Sequence, residues 1–158
     1  MGNNIVRNEM YKIPEHILKS LEMYWDINFP KSYRDFLLKY NGGEAEKREF
    51  KFKEGEHGSD IRSFLGIYPD KHNNLLSYLK SYRGRIPENF FPIGYDSCGN
   101  LILISVKNKD RGKIYFWDHE MEADEGETPD YSNLTLIADS FDEFIEGLHS
   151  EDEISDDI

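Results

Sequence analysis

Apolar residues recur along this chain at several spacings, and each spacing predicts a kind of element. Ile17, Leu18, Leu21 and Trp25 follow Pro14 at helical intervals as far as Asp26, which predicts a first helix with the proline in its opening turn. Tyr33, Phe36, Leu37 and Tyr40 repeat at i, i+3, i+4, i+7 after Pro30, and Asn41-Gly42-Gly43 supplies left-handed residues to end this second helix. Leu75, Leu76, Leu79 and Tyr82, between Asn73-Asn74 and Gly84, predict a third. Ser140 caps a last one with Phe141, Phe144, Ile145 and Leu148 on one face.

Strand signals lie between these. Phe50 and Phe52 alternate with charges over 48–53, as in a half-buried strand, whereas Ile61, Phe64, Leu65 and Ile67 fit either a strand or a short helix. Phe90-Phe91-Pro92-Ile93-Gly94 runs through a turn at 96–99 into residues 101–106, an apolar run without alternation that predicts a central strand covered on both faces. The loop 107–112 closes on Gly112, so 113–118 is expected to pair beside that strand. Along 114–117, either Tyr115 and Trp117 or Ile114 and Phe116 must face away from the main core. Leu134, Leu136 and Ile137 form a further strand.

This order predicts one α+β domain, with a mostly antiparallel sheet of five or six strands and flanking helices. The expected bounds are an N-terminal arm over 1–13, a domain over 14–149 and a frayed acidic tail over 150–158. At 158 residues, with ten Phe, ten Tyr and two Trp, the chain can bury a core without metal or disulfide support.

Charge narrows the possible partners. The formal net charge is −12. Residues 118–130 hold seven acids and 150–158 hold five, with no Lys or Arg in either, so these two segments account for the whole excess. That balance argues against direct nucleic-acid or anionic-membrane binding, which needs clustered bases. The single Cys98 rules out an intrachain disulfide and suits a reducing compartment. No signal peptide, membrane span or myristoylation pattern is recognisable, so the expected location is the cytoplasm and the Asn133-Leu134-Thr135 sequon is expected to stay unused.

Three segments, taken together, resemble the SUKH superfamily, which includes Smi/Knr-like cell-wall regulators and many bacterial toxin-immunity proteins. The first, 28–37 with Asn41-Gly42-Gly43, is similar to the family's Leu-Pro-x-x-Tyr-x-x-Phe-Leu helix and its Asn-Gly-Gly end. The second is Phe91-Pro92-Ile93-Gly94 with Asp96, Gly99-Asn100 and the strand pair that ends at Trp117-Asp118-His119. The third is the closing helix from Ala138-Asp139-Ser140-Phe141. Phe29 stands where Leu is usual, and 43–75 does not align. The resemblance implies a non-enzymatic domain, and an immunity protein that neutralises a cognate toxin, often a nuclease, by binding it. A scaffold in cell-wall or envelope signalling is the alternative.

Catalytic and ligand chemistry fails its own spacing tests. A calcium loop starting at Asp118 lacks Gly at its sixth position (Ala123) and Glu at its twelfth (Pro129). Cys98 has no sequence-paired histidine, residues 94–99 lack the serine of a nucleophile elbow, and no phosphate-cradling glycine loop occurs. No catalytic residue, metal or cofactor is therefore expected. An enzyme would use His119 with Cys98 or a carboxylate.

The expected interaction surface is the acidic loop, with Trp117, Asp118, Glu120, Glu122, Asp124, Glu125, Glu127 and Tyr131 meeting a basic toxin domain. A solvated loop without a partner is the competing reading. Lys107, Lys109, Arg111 and Lys113 sit at the other end of strand 113–118, about 20 Å away at about 3.3 Å per residue, so the sheet is expected to be electrically polar. The protein is expected to be a monomer or weak dimer.

Overall fold

The computed structural model describes residues 5–6, 11–70 and 72–151. Most of the expected N-terminal arm, and the tail beyond residue 151, lie outside the described residues. In chain order the elements are β1 (Ile5–Val6), α1 (Glu15–Trp25), α2 (Lys31–Lys39), β2 (Glu44–Ala45), β3 (Glu49–Lys51), β4 (Gly58–Asp60), β5 (Ser63–Phe64), α3 (Leu75–Ser81), β6 (Phe90–Tyr95), β7 (Leu101–Ser105), β8 (Ile114–Trp117), a 3-10 turn (His119–Met121), β9 (Leu134–Ala138) and α4 (Phe141–Glu146). The main sheet has five antiparallel strands in the order β5-β6-β7-β8-β9, and two-stranded ribbons β1-β2 and β3-β4 accompany it. The domain is α+β as expected, and the ambiguous 61–67 stretch becomes the short strand β5 with buried flanks.

β7 is the middle of the sheet and every one of its residues is buried. Its side chains alternate between two apolar layers. Ile102 and Ile104 join the main core with Phe36, Phe64, Ile93, Phe141 and Phe144. Leu101 and Leu103 face a second cluster with Ile86, Phe90 and Trp117. In register, Leu101 lies opposite Trp117 and Ile102 opposite Phe116, so β8 divides between the same two layers. Helices α2 and α4 pack on the first face, where Tyr33 and Phe36 lie 5.2 and 5.1 Å, centroid to centroid, from Phe141. On the second face Tyr78 of α3 stacks on Tyr95 at 5.8 Å, and Tyr82, its C-cap, meets Trp117 edge-on at 5.5 Å.

Buried polar groups set how the elements join. Glu22, on α1, accepts from the Phe29 amide at 2.8 Å and from Arg34 Nε at 2.9 Å, tying the α1–α2 corner to α2. Asn41 ends α2 with φ 50°, and its fully buried side chain bonds both backbone groups of Ile67, accepting from N at 2.8 Å and donating to O at 2.9 Å. There the chain passes so close to itself that a Cβ on Gly66 would stand 2.2 Å from the Asn41 carbonyl oxygen. Asp96 closes the turn before β7 by accepting from the amides of Cys98 and Asn100 at 2.9 and 2.8 Å, while Gly99 takes φ 87°. Of these, Phe29, Arg34, Asn41, Asp96, Gly99 and Asn100 belong to the segments that carry the family resemblance, and their work is structural.

Asn41 provides a test. Asn41→Gly keeps the left-handed backbone and loses the bonds to Ile67, so it should destabilise by about 1–3 kcal/mol. Asn41→Ala also meets the left-handed penalty and should lose about 1–2 kcal/mol more. Urea unfolding of both variants measures the difference, and equal stabilities would refute this account.

Candidate functional site

The acidic segment after β8 starts and ends at one place. Asp118 donates its amide to the Asn133 carbonyl at 3.1 Å, Asn133 Nδ2 donates back to the Asp118 carbonyl at 2.9 Å, and Trp117 pairs with Leu134. Asp118 Oδ1 also accepts from the Glu120 amide at 3.0 Å, which starts the 3-10 turn. Between these ends two anchors hold the loop against the second face of the sheet.

The first anchor is an ion pair built on aromatic rings. Arg85 donates to Glu122 through Nη2 at 2.9 Å and Nε at 3.1 Å. Its guanidinium lies 4.4 Å from the Tyr82 ring centroid and 5.9 Å from that of Trp117. A planar fork paired to a carboxylate and resting on rings is a geometry that lysine does not reproduce. The hydrogen bond from Arg85 holds the Glu122 carboxyl below its ordinary range.

Tyr131 is the second anchor. Its hydroxyl donates to Asp110 Oδ2 at 2.6 Å and accepts from Asn89 Nδ2 at 2.7 Å, while its ring meets Phe90 at 5.3 Å and Tyr115 at 5.7 Å. Burial raises the Tyr131 phenol, and the bond to Asp110 adds to the rise. Tyr115 is pushed up to about 12, again chiefly by burial, with Asp110 adding. Both phenols are thus neutral at physiological pH.

These anchors sort the expected surface residues into three roles. Trp117 is a correction: its side chain is 0% exposed, because α3, Arg85 and the returning loop cover the second face of the sheet, and it cannot meet a partner directly. Asp118 and Glu122 shape the loop. Glu120, Asp124, Glu125 and Glu127 are exposed, and none has an ion pair among the described residues; a turn closed by the Glu127 amide on the Asp124 carbonyl presents the last three. Tyr131 keeps 43% exposure with its hydroxyl engaged.

The loop also approaches the far end of β8. Because the loop doubles back across the sheet, Tyr131 reaches Asp110 in the β7–β8 loop, and Lys107 shares a groove with Glu127. This groove, of about 1060 Å³, is bounded by the end of α1, by α3 and by residues 126–129. Sequence reading missed it. The signal was that Tyr24 falls outside the apolar stripe of α1; it is 84% exposed and lines the groove.

Cys98 is exposed in its turn, and no hydrogen bond among the described residues joins it to His119. Likewise, among the described residues no group of three or more His, Cys, Asp or Glu side chains is placed to hold a metal ion, and no helix is long and apolar enough to cross a membrane.

Residues 12–147 match the model of the SMI1 / KNR4 family (SUKH-1). The chain is also similar to the SPbeta prophage-derived uncharacterized protein YokK of Bacillus subtilis (strain 168), with 35% identity over 150 residues, covering 85% of this chain and 73% of that protein. The matched stretch includes both loop anchors. Partly exposed pairs such as Arg85–Glu122 contribute at most about 1 kcal/mol to global stability, so the effect of breaking this one should be local. A depressed carboxyl pKa stabilises above the ordinary carboxylate range, and that stabilisation is lost as pH falls through the lowered value. Arg85→Ala should therefore raise the mobility of residues 120–128 in NMR relaxation while leaving Tm nearly unchanged. Acidification below the ordinary carboxylate range should loosen the wild-type loop in the same way but add less in Arg85→Ala. Unchanged relaxation in the variant would show that the pair does not order the loop.

Proposed function

Because the chain belongs to the SMI1 / KNR4 family (SUKH-1), we propose that it is a non-enzymatic immunity protein that neutralises a toxin in the cytoplasm by binding a basic domain, such as a nuclease's nucleic-acid groove, on the exposed carboxylates of loop 118–130. The observation that carries this reading is that Glu120, Asp124, Glu125 and Glu127 stand exposed and unpaired among the described residues, on a backbone anchored on both sides. An anchored loop loses little entropy on binding, so more of the charge attraction is left for association.

Carboxylates of one sign steer a cationic partner and raise its association rate, while slow dissociation needs a desolvated apolar contact. Trp117 cannot supply that contact. Met121, 68% exposed, and the ring of Tyr131 flank the carboxylates and take its place. The similar protein in Bacillus subtilis comes from a prophage, a setting that suits defence against a rival's toxin better than cell-wall regulation. On this reading the protein acts as a monomer or weak dimer and takes no cofactor.

Replacing Glu120, Asp124, Glu125 and Glu127 together by Ser or Asn tests the proposal, with Glu122 left in place because it orders the loop. Against a basic toxin domain that the wild-type protein binds, association at low salt should slow by about tenfold or more and lose most of its salt dependence, since charges beyond about 8–10 Å are screened at higher salt. Tm should hardly move. An unchanged association rate at low salt would remove this surface from consideration.

A further inference from the structure

We propose that the groove between α1, α3 and the acidic loop clamps a helical segment of the protein partner, one whose apolar stripe is flanked by carboxylates toward α3 and by Lys or Arg toward the loop. This deepens the reading of the chain as a protein-binding domain and rests on it.

Size argues for a chain segment. About 1060 Å³ lies at or above the upper end of small-ligand pockets, which run to about 1,000 Å³. Two turns of helix, a cylinder about 10 Å wide and about 11 Å long, occupy roughly 850 Å³. Laying an amphipathic helix into an apolar groove is a recurring mode of peptide recognition, read by anchors at i, i+3, i+4 and i+7.

The apolar surface of the groove is already rigid. Trp25 is held edge-on against Phe91 at 5.0 Å and Phe29 at 6.3 Å, so it meets an incoming side chain with little further loss of rotamer freedom. Leu79 lines the same space, and Tyr24 and Leu76, 84% and 37% exposed, stand at its open edge.

Charge then specifies the occupant. Lys80 and Arg83, from α3 and just beyond it, are exposed and have no ion pair among the described residues, unlike Arg85, which Glu122 engages. Lys107 adds a third cation. Glu127 supplies an unpaired carboxylate on the loop side, and Glu88 a second carboxylate in the lining. A uniformly basic segment attracted by the loop would be repelled along α3. A helix that carries carboxylates on one flank and Lys or Arg on the other satisfies both Lys80 with Arg83 and Glu127, which makes the groove a means of rejecting uniformly basic partners.

The probes are three synthetic helical peptides of about four turns sharing one leucine stripe. One carries Glu on one flank and Lys on the other, one carries Lys on both flanks, and one has Ser on both. Calorimetric titration should show the first binding about tenfold tighter than the second. Lys80→Glu with Arg83→Glu should reverse that order. Tyr24→Ser with Leu76→Ser, both at exposed positions, should weaken all three peptides about tenfold without lowering Tm. No saturable binding at millimolar peptide, or binding that ignores both double variants, would overturn the inference. So would self-association of the wild-type protein that Tyr24→Ser with Leu76→Ser abolishes, since the occupant would then be a second copy. Toxin-domain binding separates this inference from the proposed function. If the loop variant slows association while the Tyr24 and Leu76 variant dissociates as wild type does, the groove inference fails and the proposed function stands. If neither variant changes toxin binding, both fall.

Discussion

Burial of β7 on both faces is the constraint from which the rest of this structure follows. Each of its large side chains contributes about 1.5–3 kcal/mol when removed from water, but only if each face of the sheet has a cover. Helices α2 and α4 cover one face. On the other face the helical cover is α3 alone, seven residues against the nine and six of α2 and α4. The remaining area falls to the segment after β8, and that segment carries seven of the chain's acids.

An acidic loop is a poor cover unless it is held down, because its carboxylates favour water over apolar surface. Two contacts solve this. Arg85 neutralises Glu122 over the rings of Tyr82 and Trp117, and Tyr131 buries much of an aromatic ring while its hydroxyl is satisfied by Asp110 and Asn89. The remaining carboxylates are turned outward on a backbone that is no longer free to wander. Cover and display are thus one arrangement, and the proposed partner surface is a by-product of closing the second core.

Small buried polar groups do the same for the connections. Asn41 satisfies both backbone groups of Ile67, Glu22 the amide of Phe29, and Asp96 the amides of its own turn. Each group left unpaired would cost about 1–3 kcal/mol, so these residues select one path for the chain between elements that many paths could join. The groove is a consequence of those paths, since it lies where the end of α1, the exit of α3 and the returning loop come together.

Periodicity was enough to read the helices α1, α2, α3 and α4 and the pairing of β7 with β8, because a spacing of 3.6 or 2 reports directly which side of an element is apolar. The charge of loop 118–130 was equally legible, being a property of composition. Whether Trp117 meets solvent or a second core was not, since alternation shows that a strand has two faces but not what lies over the second. Part of that cover is an irregular loop, and nothing in a loop's spacing records where it folds back. The groove was hidden for the same reason: residues 24–27, 76–84 and 126–129 become one surface only through contacts between segments far apart in the chain, and those contacts exist only once both faces of β7 are buried.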